Sequence, residues 1–363
     1  MTFNFRMVTL ARDAVGLTQT ALAHQVGVSQ AFISKIENGL EIPTDELLER
    51  FADACGVPAA FFQQEEHTLG EGLVDLYHKK RLTLPVKPLK KANATANICR
   101  LEAIRLLHTV DFEDATPFPE FSVDEFGSPE HVANATRALW RVPAGPLPDL
   151  ISLIEATGVP VYTVDLGHDK LFAMSMPGTV GRHVIVINNR LPASAQRFAL
   201  AHELGHLTMH NGLSSDEMER EADRFAGALL MPRDDIRHDL RDLRFSSLGS
   251  LKMKWRVAMS ALIYRAHEIG AVDERRYRNL NIQLSTLPGG RRHEPGELAA
   301  EEPRLLRHIL GTYEDSFGYT REELEKLLVV TPERLSVDYF GEEVTKLKPV
   351  SVNRRLHSVS MPR

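Results

Sequence analysis

Apolar residues recur at helical spacing through residues 7 to 62, interrupted at Gly16, Gly27, Gly39 and Pro43. That pattern predicts a run of short helices packed as one all-helical module. From about Phe118 to Pro232 the periodicity alternates. SPEHVANATRALWRV and PDLISLIEATG read as helices, while VPVYTV, LFAMSM and HVIVIN are short β-rich runs bounded by Gly167, Pro177, Gly178 and Asn188. Two long helices follow, SAQRFALAHELGHLTMH and DEMEREADRFAGALLM, the second stopped at Pro232. The chain then reads as mainly helical to about Ile269. TLPGGRRHEPGE (286–297) has the composition of a flexible linker. Residues 303 to 332 read as a small helical module, and the last residues show no pattern.

Composition narrows the class of protein. With 363 residues, 43% apolar and 25% charged, the chain can bury a core without staples and is long enough for two or three domains. It contains no run of eighteen apolar residues, and MTFNFRMVTLARD lacks the order of a secretory signal, so a cytoplasmic location and no membrane partner are expected. Cys55 and Cys99 are too few for a disulfide framework and form no CxxC pair. Both are expected to be small buried hydrophobes. A net charge of −6 means that any polyanion must be met by a local patch.

The chemistry concentrates at His202-Glu203-Leu204-Gly205-His206. Histidines four apart on a helix lie on one face, so both imidazoles can converge on one ion. Glu203 then hangs beside that ion, where a carboxylate can serve as general base to a water. The flanking Phe198, Ala199, Ala201, Leu204 and Leu207 bury the segment, which makes idle histidines costly. His210 is eight residues from His202, about 12 Å along a helix at ~1.5 Å per residue, so one ion cannot hold all three. His210 is therefore expected in solvent or behind a ligand. The position six past His206 is Gly212, so the extended three-histidine pattern fails.

A catalytic zinc takes three protein ligands and keeps a fourth position open. In the next helix the apolar face centres on Ala222, Phe225, Ala226 and Leu229. Glu219 lies at its edge and is the acid best placed to face the first helix. Asp223 falls beside it, placed to fix the tautomer of a ligand histidine. Glu217 and Glu221 point away and read as a solvated face. Tyr264, Arg265 and His238 are the candidate oxyanion donors, Tyr264 foremost. An extended substrate is expected to add to an edge of the small sheet beside residues 183 to 188.

The segment RFALAHELGHLTMH followed by EREADRFAGALLMP resembles the ImmA/IrrE family of zinc metallopeptidases, over roughly residues 130 to 270. The resemblance implies His202, His206 and Glu219 as Zn2+ ligands and Glu203 as general base, with Asp223 standing where the family has Asn. Ligand type favours zinc, with manganese or another metal of similar site as the alternative.

LTQTALAHQVGVSQAFISKIENG reads as two helices around a tight turn at Gly27, packed through Ala21, Leu22, Val26, Val28, Phe32, Ile33 and Ile36. It is similar to the XRE family of repressor-type domains. That resemblance implies that Gln30, Ser34 and Lys35 face the DNA major groove and Gln19 meets phosphate. Residues 1 to 66 carry four basic and nine acidic side chains, a net −5 that weakens counterion release, so a protein is the alternative partner. HKKRLTLPVKPLKK (78–91), with six basic residues and no acid, is placed to restore positive charge.

The predicted fold class is α+β in four parts. A helix-turn-helix module occupies 1–66, and a basic connector and helix 67–117. A zincin-like domain with a small sheet and the HExxH helix follows at 118–285, then a linker and mainly helical module at 286–363. The resemblance implies a narrow-specificity zinc endopeptidase that cleaves a repressor or antitoxin-like partner. A DNA-binding regulator whose metal domain only senses a partner, and the toxin of a toxin-antitoxin or phage-defence pair, are the alternatives. A homodimer would match the paired half-sites of repressor-type domains.

Overall fold

A computed structural model describes residues 3–65, 85–108, 116–178, 183–210, 216–288 and 294–341. The first seven residues of the basic connector, Gly212 and the final residues 342–363 lie outside them. The architecture is α+β and mostly helical.

Four helices build the N-terminal module: α1 (Phe5–Ala14), α2 (Gln19–Val26), α3 (Gln30–Glu37) and α4 (Asp45–Cys55). Each start is fixed by a polar side chain that accepts an otherwise orphaned backbone N–H: Asn4, Thr18, Ser29 and Thr44. Gly27 closes α2 at φ +72°, a left-handed conformation that a side chain would strain. Leu22, Val26, Ile33, Ile36 and Phe51 fill the core. Val28 and Phe32, expected in that packing, are only half-buried at its rim, and Ala21 is half-buried.

Helix α5 (Val86–Leu107) contributes to two cores. Ala94, Ile98 and Leu101 join the N-terminal core, while Ala92, Ala96, Cys99, Ala103, Leu106 and Leu107 pack behind the small sheet. Its alanine-rich surface lets backbones approach on both sides, so this part of the chain is a shared wall rather than a solvated connector. Of the connector lysines on it, Lys91 pairs with Asp165 at 3.9 Å.

Helices α6 (Pro129–Leu139) and α7 (Leu150–Glu155) lead into strands β1 (Val161–Val164), β2 (Ala173–Met176) and β3 (Val184–Asn188). The order is β1-β3-β2, with β1 parallel and β2 antiparallel to β3. Val161, Ala173, Ile185 and Ile187 face one core; Tyr162, Met174, Met176, Val184 and Val186 face the other. Burial on both faces explains why these segments read as apolar runs rather than alternating ones. Since β3 is central, residues 183 to 188 are no edge for an incoming strand, contrary to the sequence expectation. The outer edge of β2 pairs with no strand among the described residues.

Helix α8 (Ala193–Met209) covers the first face of the sheet, and α9 (Asp216–Leu230) packs across α8 and α6. Behind them stand α10 (Leu248–Trp255), α11 (Met259–Glu268) and α12 (Glu274–Ser285). The C-terminal helices α13 (Leu305–Asp315) and α14 (Arg321–Leu328) pack on the other face with α5. The described part of the expected flexible linker is pinned. Glu294 accepts the N–H groups of Met259 and Ser260 (2.7 and 3.1 Å), and Glu301 those of Leu150 and Ile151 (2.8 and 3.1 Å). In return, Glu155 accepts the N–H groups of Arg304 and Leu305. Carboxylates at helix starts satisfy orphaned donors and favour the helix dipole. No described helix is long and apolar enough to cross a membrane.

Candidate metal centre

The site forms where α9 crosses α8 at Gly205. A Cβ on Gly205 would stand 2.9 Å from a ring carbon of Phe225 and 3.4 Å from the Cα of Ala222. Only glycine permits that approach, and the approach carries Glu219 and Asp223 over the two histidines.

The Nε2 atoms of His202 and His206 are 3.1 Å apart. Glu219 sets Oε2 3.7 Å from His202 Nε2 and Oε1 3.4 Å from His206 Nε2. All three donor atoms lie within 4.8 Å of one another. Ligands about 2.0–2.1 Å from a tetrahedral ion stand roughly 3.3 Å from each other, so two imidazoles and a carboxylate at these separations fit zinc. His206 is fully buried, whereas the His202 side chain is 13% exposed.

The remaining ring nitrogens are also engaged. His202 Nδ1 meets Asp223 Oδ1 at 2.8 Å. Burial opposes a charge on His202, but the hydrogen bond to Asp223 and the charges of Glu203, Asp223 and Glu219 outweigh it and raise the pKa. His206 Nδ1 meets His210 Nδ1 at 2.9 Å, and His210 Nε2 meets Glu221 Oε2 at 3.1 Å. His210 is therefore not in solvent; it is buried behind His206. Burial first, then the neighbouring His206 and His202, push its pKa down to about 3, so it is neutral. Glu221 does not belong to a solvated face either. It stands at the flank of the apolar stripe of α9, and its long side chain reaches back to His210.

Glu203 is buried, and its Oε2 accepts the hydroxyl of Ser175 at 2.7 Å. Ser175 lies on β2 and is itself buried. Sequence reasoning passed over it, although a lone hydroxyl within the apolar run LFAMSM was the signal available.

The proposed oxyanion donors fare differently. Tyr264 is half-exposed on α11, its pKa raised by burial and then by the charges of Glu268 and Asp223. Arg265 is engaged elsewhere: Nε donates to the carbonyl of Met231 at 3.0 Å and NH1 to Glu268 at 2.5 Å, which ties α11 to the end of α9. His238 is exposed in the turn after Ile236.

On the N-terminal module, Gln30 and Lys35 are exposed and Ser34 is half-buried. Gln30 donates to Gln19 Oε1, and Gln19 donates to Glu37, each at 2.8 Å. Arg12 is bound to Glu37 and Asp13, and Arg50 donates to the carbonyl of Val26, so two of the module's four basic residues are spent inside it.

A helix-turn-helix module is joined to a domain that brings two histidines and a glutamate around one point, a group able to hold a metal ion. Residues 154–267 match the family model of the IrrE N-terminal-like domain, a peptidase family. Residues 10–62 match that of a helix-turn-helix. The chain thus joins a segment similar to helix-turn-helix domains, of the XRE type, to one similar to the IrrE/ImmA-like peptidase domain. No curated protein matched it in a sequence search.

Proposed function

We propose that the chain is a zinc-dependent endopeptidase of narrow specificity, with His202, His206 and Glu219 as metal ligands and Glu203 as general base. The observation that carries this reading is the convergence of the two Nε2 atoms, 3.1 Å apart, with Glu219 at 3.4 and 3.7 Å and a buried carboxylate one residue along the helix. A purely structural zinc has no use for that carboxylate.

When bound, zinc supplies Lewis acidity, acidifying a water and polarising the scissile carbonyl. Glu203 does the proton work. Ser175 holds its Oε2 in place, and the carboxylate takes the proton of the attacking water and then gives it to the leaving amine nitrogen. The substrate lies extended along the outer edge of β2, whose neighbour in the fold is this helix. Tyr264, within electrostatic reach of Asp223, is the donor for the developing oxyanion.

The helix-turn-helix domain directs the peptidase to DNA, with Gln19, Gln30, Ser34 and Lys35 at the contact surface. The substrate is a protein that works at the same place, a repressor or antitoxin-like regulator. Glu203→Gln tests the reading. It is expected to bind zinc one-to-one and lose about 10²- to 10⁴-fold in cleavage of the partner. A variant that held zinc and kept every effect on that partner would leave only the regulator that senses without cutting.

A further inference from the structure

We propose that His210 and Glu221 are positioning residues for the metal centre, forming a hydrogen-bonded chain that fixes the tautomer and orientation of His206. The inference rests on the zinc reading above and extends it outward from the ligands.

The argument is one of donors and acceptors. Two Nδ1 atoms 2.9 Å apart can be joined only if one carries the proton and the other a lone pair. His206 needs the lone pair of Nε2 for a metal, so its proton sits on Nδ1 and is donated to His210. Because His210 accepts at Nδ1, its own ring proton sits on Nε2. That atom faces Glu221 Oε2 at 3.1 Å, an acceptor at the place where one is required. Every joint of the sequence Glu221, His210, His206 is consistent with a single proton arrangement, and that arrangement leaves His206 Nε2 directed at His202 Nε2 and Glu219.

Burial makes the arrangement matter. His206 is 0% and His210 5% exposed, so water cannot replace either partner. Without an acceptor at 210 the buried Nδ1–H of His206 would be unsatisfied. The ring would then be pulled to the other tautomer, in which Nε2 carries the proton and cannot ligate. His202 has its own support in Asp223. Each histidine ligand therefore has an independent carboxylate anchor, one direct and one relayed through His210, as outer partners of ligand histidines commonly provide.

The test is zinc affinity of the full chain, measured by competition with a chromogenic chelator, with no substrate present. Asn places its Oδ1 where His presents Nδ1, whereas Leu has the same shape as Asn and no acceptor. His210→Leu is expected to weaken zinc binding about 10- to 100-fold, and His210→Asn to stay within a few-fold of the parent. Glu221→Ala, on a side chain that is 21% exposed and so tolerant of change, is expected to weaken it about tenfold. That variant carries the test if His210→Leu fails to fold. Equal affinity of the parent and of the Leu, Asn and Ala variants would overturn the proposal while leaving the peptidase reading intact. A parent that binds no zinc would overturn both.

Discussion

Ser175 and Glu203, on a strand and a helix 28 residues apart in sequence, share a buried hydrogen bond of 2.7 Å. The hydroxyl holds the carboxylate over the site without neutralising it. Ser175→Ala is expected to leave zinc content unchanged and lower kcat by about tenfold, a decade being about 1.4 kcal/mol. KM should move little, because Ser175 is buried beneath the site rather than exposed to substrate. A steady-state comparison with zinc analysis checks this, and an unchanged kcat would remove Ser175 from the mechanism.

Gly205 is required by the helix crossing. Gly205→Ala gains about 1 kcal/mol of helix propensity. It also drives a methyl into a ring that is 0% exposed and has nowhere to go. Overpacking of this kind costs about 1–3 kcal/mol, so a net loss of stability and weaker zinc binding are expected. Adding Phe225→Leu should make the double variant less destabilised than the sum of the two, which denaturant titration of all four proteins would reveal.

Glu155 gives the fold a pH dependence of known sign. Burial raises its pKa to about 7 from an ordinary 4.5, despite N–H donation from Arg304 and Leu305. The folded state thus holds the proton more tightly than the unfolded chain. Its contribution is fully present below pH 4.5 and is lost as pH rises through about 7. Across that window the parent should lose on the order of 3 kcal/mol relative to Glu155→Gln. Parallel stability curves for the two proteins between pH 4.5 and 7.5 would contradict this.

Glu301 ties the C-terminal segment to the peptidase domain through a buried ion pair with Arg197 and the two N–H groups that start α7. Burial already lowers the Arg197 pKa to about 9. Glu301→Ala would strand that guanidinium, and a loss of about 3–5 kcal/mol is expected. Thermal unfolding should show it, together with release of 294–301 to proteolysis. A surface salt bridge would cost less than about 1 kcal/mol, so the size of the effect decides which description holds.

Gln30 and Gln19 act as a pair on the DNA reading. Gln30→Ala is expected to cost about 1–3 kcal/mol on a specific site and leave the salt slope unchanged. Lys35→Ala should flatten that slope. Fluorescence anisotropy over a salt series separates the two. Absence of any sequence-specific binding at moderate salt would direct the module to a protein partner instead.

Much of this molecule was legible in its sequence because the information was local. Helix caps, turn glycines and the spacing of His202 and His206 act within a few residues, and the apolar runs VPVYTV, LFAMSM and HVIVIN became the three strands expected of them. What the sequence could not decide was which element lies against which. Strand order depends on how β1, β2 and β3 meet across the sheet, and that put β3 with residues 184 to 188 in the centre and brought Ser175 of β2 to Glu203. The helical projection assigned Glu221 to solvent because one helix viewed alone does not show a histidine at the end of its neighbour. The segment 286–297 reads as a flexible linker from its composition, yet Glu294, and Glu301 just beyond it, meet helix starts more than thirty residues away. Periodicity reports the face of an element, whereas the partner of that face is chosen by packing between segments distant in the chain.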